Sequence, residues 1–194
     1  MKKILFIAIS LFMFGCAAGF DSSVPMTDFR IIEDPNPDRV QFGERWVRVE
    51  GFSDLREGEQ LFTINAKRKV MPDDGVSRYV TSAFEDVLAM NDFRLSQMKG
   101  PIIRGEILDW HAKLNTGFPT SEEVATASIR IMVVDDTGKN RFSAVYNGSS
   151  SLKHPFLTES KAKKVLSEAM QVALESVLMD PSFIQLVDEV RRGL

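Results

Sequence analysis

The residue types that could carry chemistry are few in this chain, and they stand apart from one another. Cys16 is the sole cysteine, so no disulfide can close within one copy, and it is either lipidated or a free thiol that ends an ordinary signal peptide. His111 and His154 are the only histidines, and neither falls in a spacing that gathers metal ligands. Asp109 and Glu106, the acids nearest His111, lie on a strand or its rim, so both histidines read as surface or sheet-edge residues. Asp54 and Arg56, two apart at a strand end, suit a charge-assisted bond that fixes a loop. A lone carboxylate with no second acid, base or nucleophile beside it describes no reaction. Ser149, Ser150 and Ser151 have no following His placed to activate them, and Lys161, Lys163 and Lys164 read as the solvated face of a helix. No Gly-rich phosphate loop, nucleophile elbow or HExxH occurs. The chain therefore reads as non-enzymatic, with no cofactor and no metal site.

Cys16 takes its meaning from what precedes it. Lys2 and Lys3 give a positive start, and Ile4 to Phe14 is an apolar run of eleven residues. Such a run is too short to span a bilayer and suits the core of a secretory signal peptide. The stretch Leu11-Phe12-Met13-Phe14-Gly15-Cys16 resembles a bacterial lipobox, with Met13 and Phe14 at places the pattern usually gives to Leu and a small residue. The resemblance implies that 1–15 is a lipoprotein signal peptide and that Cys16 is lipidated, joining the protein to a membrane. Several acyl chains, at about 0.8 kcal/mol per buried methylene, hold such an anchor in place. By the same resemblance, Ala17 after the cysteine directs the protein to the outer membrane, facing the periplasm. Residues 16–43 read as a tether, punctuated by Pro25, Pro35 and Pro37, in which Phe29 to Ile32 could add a short edge strand.

Residues 44–194 then form a single domain. The chain is 44% hydrophobic and 26% charged, which supplies one well-formed core and excludes a disordered protein. Without the first fifteen residues it carries 22 basic and 27 acidic groups, a net charge of −5, and so has little electrostatic reason to bind nucleic acid.

The organising stretch is Ile102 to Leu152, whose alternation predicts a three-stranded meander. The apolar parity runs through Ile103, Gly105 and Ile107, then moves to Leu108, Trp110, Ala112 and Leu114, which predicts a β-bulge near Leu108. Asp135 to Asn140 reads as a hairpin turn. Before the meander, Trp46 to Phe52 alternates as a strand with Val47, Val49 and Gly51 on one face. Leu61 to Ile64 reads as a briefly pairing segment. Pro72 to Gly75 supplies a turn and a helix cap, and Val76, Tyr79, Val80, Ala83, Phe84, Val87 and Leu88 form a helical stripe. After the meander, a long helix capped by Thr158 buries Ala162 to Leu178, and Pro181 opens a shorter one. The fold class is α+β: one twisted, mostly antiparallel sheet with two to three helices packed on one face. Arg104, Glu106, Arg130 and Arg141 then fall on or near the other face, and that polar face, or else an exposed strand edge, is the expected partner surface.

With these elements in order, residues about 45–190 resemble the YajG-type family of small Gram-negative envelope lipoproteins. The resemblance rests on Val47-Arg-Val-Glu-Gly-Phe-Ser-Asp-Leu-Arg56, on the helix and strand from Val76 to Leu95, on Gly105 to Trp110, and on Ala169 to Phe183. It implies an outer-membrane lipoprotein that serves as a non-catalytic interaction or assembly module, with an envelope protein or a homo-oligomer as partner. An accessory subunit of a flagellar basal body or secretion complex is the narrower reading, and an envelope hydrolase the remaining one.

Overall fold

The computed structural model describes residues 45–57, 62–64, 68–70, 75–117, 120–155 and 159–191. The expected signal peptide, Cys16, the tether with Phe29 to Ile32, and Thr158 lie outside the described residues. The chain runs β1 (Arg45–Asp54), β2 (Phe62–Ile64), β3 (Arg68–Val70), α1 (Val76–Met90), β4 (Phe93–Leu95), β5 (Ile102–Asn115), β6 (Ser121–Val134), β7 (Asn140–His154), α2 (Glu159–Leu178) and α3 (Pro181–Arg191). The fold is α+β, with one sheet and three helices.

The meander β5–β6–β7 is its frame. Each of these long strands alternates inward and outward residues, and the three pair antiparallel along nearly their whole length. At the hairpin, Gly138 takes φ +81°, which a side chain would oppose, and Asp135 Oδ1 accepts from the N–H groups of Thr137 (2.9 Å) and Lys139 (3.0 Å). The expected bulge is present. Ile107 faces Ile129 and Asp109 faces Ser128, so Leu108 is the extra residue, and the buried set passes from Ile103, Gly105 and Ile107 to Trp110, Ala112 and Leu114.

β5 is long enough to take two neighbours on its other edge. β1 runs parallel to its first half, with β4 parallel beyond it; β2 runs parallel to its second half, with β3 antiparallel beyond that. A second bulge in β1 departs from the expected alternation. Val49 pairs with Ile103 and Gly51 with Arg104, leaving Glu50 as the extra residue, and Gly51 adopts φ +97°. The inward parity therefore moves from Val47 to Phe52, and Gly51 does not continue the Val47 face as its spacing predicted. Phe52 N–H donates to Thr81 Oγ1 of α1 at 2.9 Å, which fastens the bent strand to the helix above it.

All three helices cover the same face of the sheet. The α1 stripe is buried as its spacing requires, with Tyr79 packed at the margin. The helix is capped by Gly75, the last residue of the expected turn, with no side-chain cap bond. The nine apolar residues expected of α2, from Ala162 to Leu178, are all buried. Two contacts hold α2 close. Trp110, fully buried, donates Nε1–H to Leu166 O at 3.0 Å. At Gly148, a methyl group would stand 2.0 Å from Ala169 O, so the absence of a side chain there is what lets the helix backbone reach β7. α3 closes the remaining corner, with Phe183 against Phe142 and Arg45 of β1 in a two-pronged ion pair with Asp188 (2.8 and 2.9 Å).

Candidate interaction surface

The face of the sheet away from the helices carries most of the singled-out residues. Outward positions of β1, β5 and β6 alternate in charge across the strands. Arg104 Nε donates to Glu50 Oε2 at 2.5 Å, and Arg130 Nη1 donates to Glu106 Oε2, its directly opposite residue. Arg104, Glu106 and Arg130 are thus brought together. Arg141 is placed beside the hairpin and ion-paired to Asp135 at 3.5 Å. Arg48 joins this end, with Nε to Gly100 O at 2.9 Å and Nη2 to Asp136. Further along, His111 Nδ1 lies 2.7 Å from Asp109 Oδ1, and Thr126 Oγ1 donates to Asp109 Oδ2 at 3.1 Å. This half-exposed trio has its hydroxyl and imidazole bound to one carboxylate, an arrangement that orients side chains and aims no nucleophile. Among the described residues no group of three or more His, Cys, Asp or Glu is placed to hold a metal ion.

Asp54 and Arg56 stand in the bidentate pair their spacing invites, at 2.8 and 2.7 Å, with Arg56 N–H also directed at Asp54 Oδ1. The Arg56 guanidinium holds the Asp54 carboxyl below its ordinary range. Arg56 Nη1 also reaches Trp110 O at 3.4 Å, so the pair secures the exit of β1 against β5.

Two ionisable clusters were not anticipated. The first corrects the placement of His154, which is not a surface residue: it is 4% exposed, with Nε2 3.2 Å from Oε2 of the fully buried Glu123. Among the described residues, Glu123 Oε1 and His154 Nδ1 have no hydrogen-bond partner. Burial pushes the Glu123 carboxyl up to about 7, against the opposing pull of the Lys161 charge. Lys161 is therefore more than a solvated helix residue. In the second, Tyr146 Oη donates to Asp180 Oδ2 at 2.7 Å, while Asp180 Oδ1 accepts from Ser182 N–H at 2.8 Å and caps α3. Burial would raise the Asp180 carboxyl, but the hydrogen bonds from Tyr146, Ser182 and Phe183 outweigh it and hold it low. Ser150 donates to Glu168 of α2 at 2.6 Å, a bond between strand and helix.

The sequence matches no family model, and no curated protein is similar to it. Solved structures do match. The fold resembles that of a Xanthomonas campestris protein of the DUF330 family, at 10% identity and a TM-score of 0.54, over 80% of this chain and 93% of that one. A neuraminyllactose-binding hemagglutinin homolog from Helicobacter pylori aligns at 10% identity and a TM-score of 0.47, over 80% and 97%. A minor lipoprotein from Acinetobacter baumannii aligns at 11% identity and a TM-score of 0.38, over 77% and 92%. At 10% identity, the likeness to the Xanthomonas campestris protein shows a shared fold alone.

Proposed function

We propose that this protein is an envelope lipoprotein of the YajG type, anchored to the outer membrane through Cys16 and facing the periplasm, where it works as a non-catalytic interaction module. The observation that carries the reading is the sequence Gly15-Cys16 directly after a short apolar run, ahead of a domain whose first strand begins at Arg45. No described helix is long and apolar enough to cross a membrane. The outward face of β1, β5 and β6 is the docking surface for an envelope protein. Its ion pairs reach solvent, where screening weakens such pairs, so a partner can exchange them for its own charges at little cost. The titratable groups described above bind strands to helices or to each other, which is structural work.

Metabolic labelling with a palmitate analogue tests the anchor. The wild type is expected to label and a Cys16→Ala variant to remain unlabelled; an unlabelled wild type sinks the reading. Crosslinking of intact envelopes followed by mass spectrometry identifies the protein that sits on Arg104 and Arg130, including any basal-body or secretion component.

A further inference from the structure

The two sides of the sheet end differently. On one side the outermost strands are β3 and β4, three residues each, and edges that short protect a sheet from unwanted pairing. On the other, β7 runs for fifteen residues and pairs only with β6, so one long edge is open among the described residues. From Phe142 to Leu152 this strand carries no charge and no proline, and its ladder with β6 is unbroken. The usual edge protections are therefore missing where the edge is longest. α2 stands over the same edge, with Ala169 and Ala173 against Gly148 and Glu168 bonded to Ser150. By helical spacing, the flank that presents Glu168 also presents Val172 and Met179, which are 44% and 60% exposed.

We infer that the β7 edge and this flank of α2 form a two-fold interface with a second copy of this chain. β7 pairs antiparallel with the partner's β7, and the sheet continues from one copy to the next. Three observations favour a second copy over a foreign strand. A two-fold axis through β7 sets the bare edge against itself and brings the two α2 flanks together, covering Val172 and Met179 in the same step. The uncharged run meets no like charge in its own image, whereas an edge built to select a different protein would carry charges to do so. The area also suffices. Thirteen paired residues, Phe142 to His154, at about 3.3 Å each and a strand-plus-helix thickness of about 20 Å give roughly 1,700 Å² over both copies, within the range of stable interfaces.

Charge further selects the register. Residues that face each other across the axis share a parity. Centring on Asn147 would set Arg141 opposite the partner's Lys153, and centring on Tyr146 would set Lys139 opposite it. Centring on Gly148 avoids both, places Ser143 opposite the partner's Lys153 and Asn147 opposite the partner's Ser149, and keeps a longer overlap than any other register free of these like-charge pairs.

The outer-face docking surface is a separate matter, and the test keeps them apart. Two differently tagged copies of the full chain, one Ser149→Cys and the other Asn147→Cys, are expressed together in a Gram-negative host, beside the unsubstituted chain and Ser53→Cys on exposed β1 as controls. Mild oxidation of cells is expected to join the Ser149→Cys copy covalently to the Asn147→Cys copy, because these two positions face each other across the axis, and to give no covalent dimer of either control. In the full-length protein purified in detergent, sedimentation should show a dimer that Ser143→Lys weakens and Ser143→Glu tightens, each by about 5-fold from two cross-axis contacts. A protein that is monomeric at every concentration overturns the proposal. So do edge cysteines that trap only another protein, and so does an equal response to Lys and Glu at 143. Partition of the same cells between membrane and soluble fractions reads the lipid anchor, so its failure is distinguishable.

Discussion

Substituting Glu123 by Gln should change how stability depends on pH. Glu123 is fully buried at the inward end of β6, and its carboxyl ionises near pH 7 in the folded chain against 4.5 for a free glutamate. The cause is burial, partly offset by the Lys161 charge. Because the folded value is raised, this group's favourable contribution is fully present below pH 4.5, where both states hold the proton. As pH rises from there, the unfolded chain releases its proton while the folded chain keeps it, and stability falls by about 1.36 kcal/mol per pH unit. Above about pH 7 both states are ionised, and the accumulated loss reaches about 3 kcal/mol. Glutamine is neutral throughout and can still bond His154 Nε2, which lies 3.2 Å from Oε2. The stability of Glu123→Gln minus that of the wild type should therefore grow by about 3 kcal/mol between pH 4.5 and 7.5. At this chain length that widens the gap in Tm by about 6–12 °C. Urea unfolding of both proteins across this range measures it. The acid-sensitive carboxylates Asp54, Asp135 and Asp180, all held low, are common to both proteins and cancel in the difference. A difference that stays flat, or shrinks as pH rises, refutes a carboxyl kept neutral by burial.

Gly148→Ala forces a methyl group to 2.0 Å from Ala169 O and 2.6 Å from Ala173 N, main-chain atoms that no rotamer change can move. α2 must lift off β7, and the loss should exceed the roughly 1–3 kcal/mol of ordinary overpacking; a wild-type urea midpoint refutes the contact. Tyr146→Phe removes the donor to Asp180 and should cost about 1.5–3 kcal/mol at neutral pH, as for hydrogen bonds to charged groups. Because Asp180 is held low, its share of stability is present above pH 3.8 and lost in acid, so the variant's deficit should shrink on acid titration followed by circular dichroism.

What was legible in the sequence is what periodicity governs. The nine buried residues of α2 and the bulge at Leu108 follow from spacing alone, because a helix must bury one stripe and a strand that changes parity must gain a residue. The bulge in β1 was not legible. Only one inward residue, Phe52, follows the parity change, and Gly51 fits either face when its φ is unknown. The parallel placement of β1 and β2 beside β5 was equally hidden, since alternation tells which residues face the core and says nothing of which strand lies alongside. Of the outer-face residues, Glu106 and Arg130 meet because they are opposite in register, whereas Arg141 is drawn to Asp135 by the tight turn between them.

The Glu123–His154 pair could have been found by extending one rule. Glu123 shares parity with Ala125, Ala127, Ile129 and Ile131, and His154 shares parity with Tyr146, Gly148 and Leu152. Reading each residue by its own chemistry places a glutamate and a histidine in solvent; reading each strand to its end places both indoors. Strand geometry prevails because both long strands run on beside the start of α2, where the Lys161 charge acts on Glu123, and the side chains of inward parity there are buried. The desolvation cost of a carboxyl is then met by holding its proton, and the imidazole opposite is the available hydrogen-bond acceptor. A polar residue on an inward register, matched by a second on the neighbouring strand, is therefore the sequence signal for a buried ionisable pair, and here it marks the end of the sheet where α2 begins.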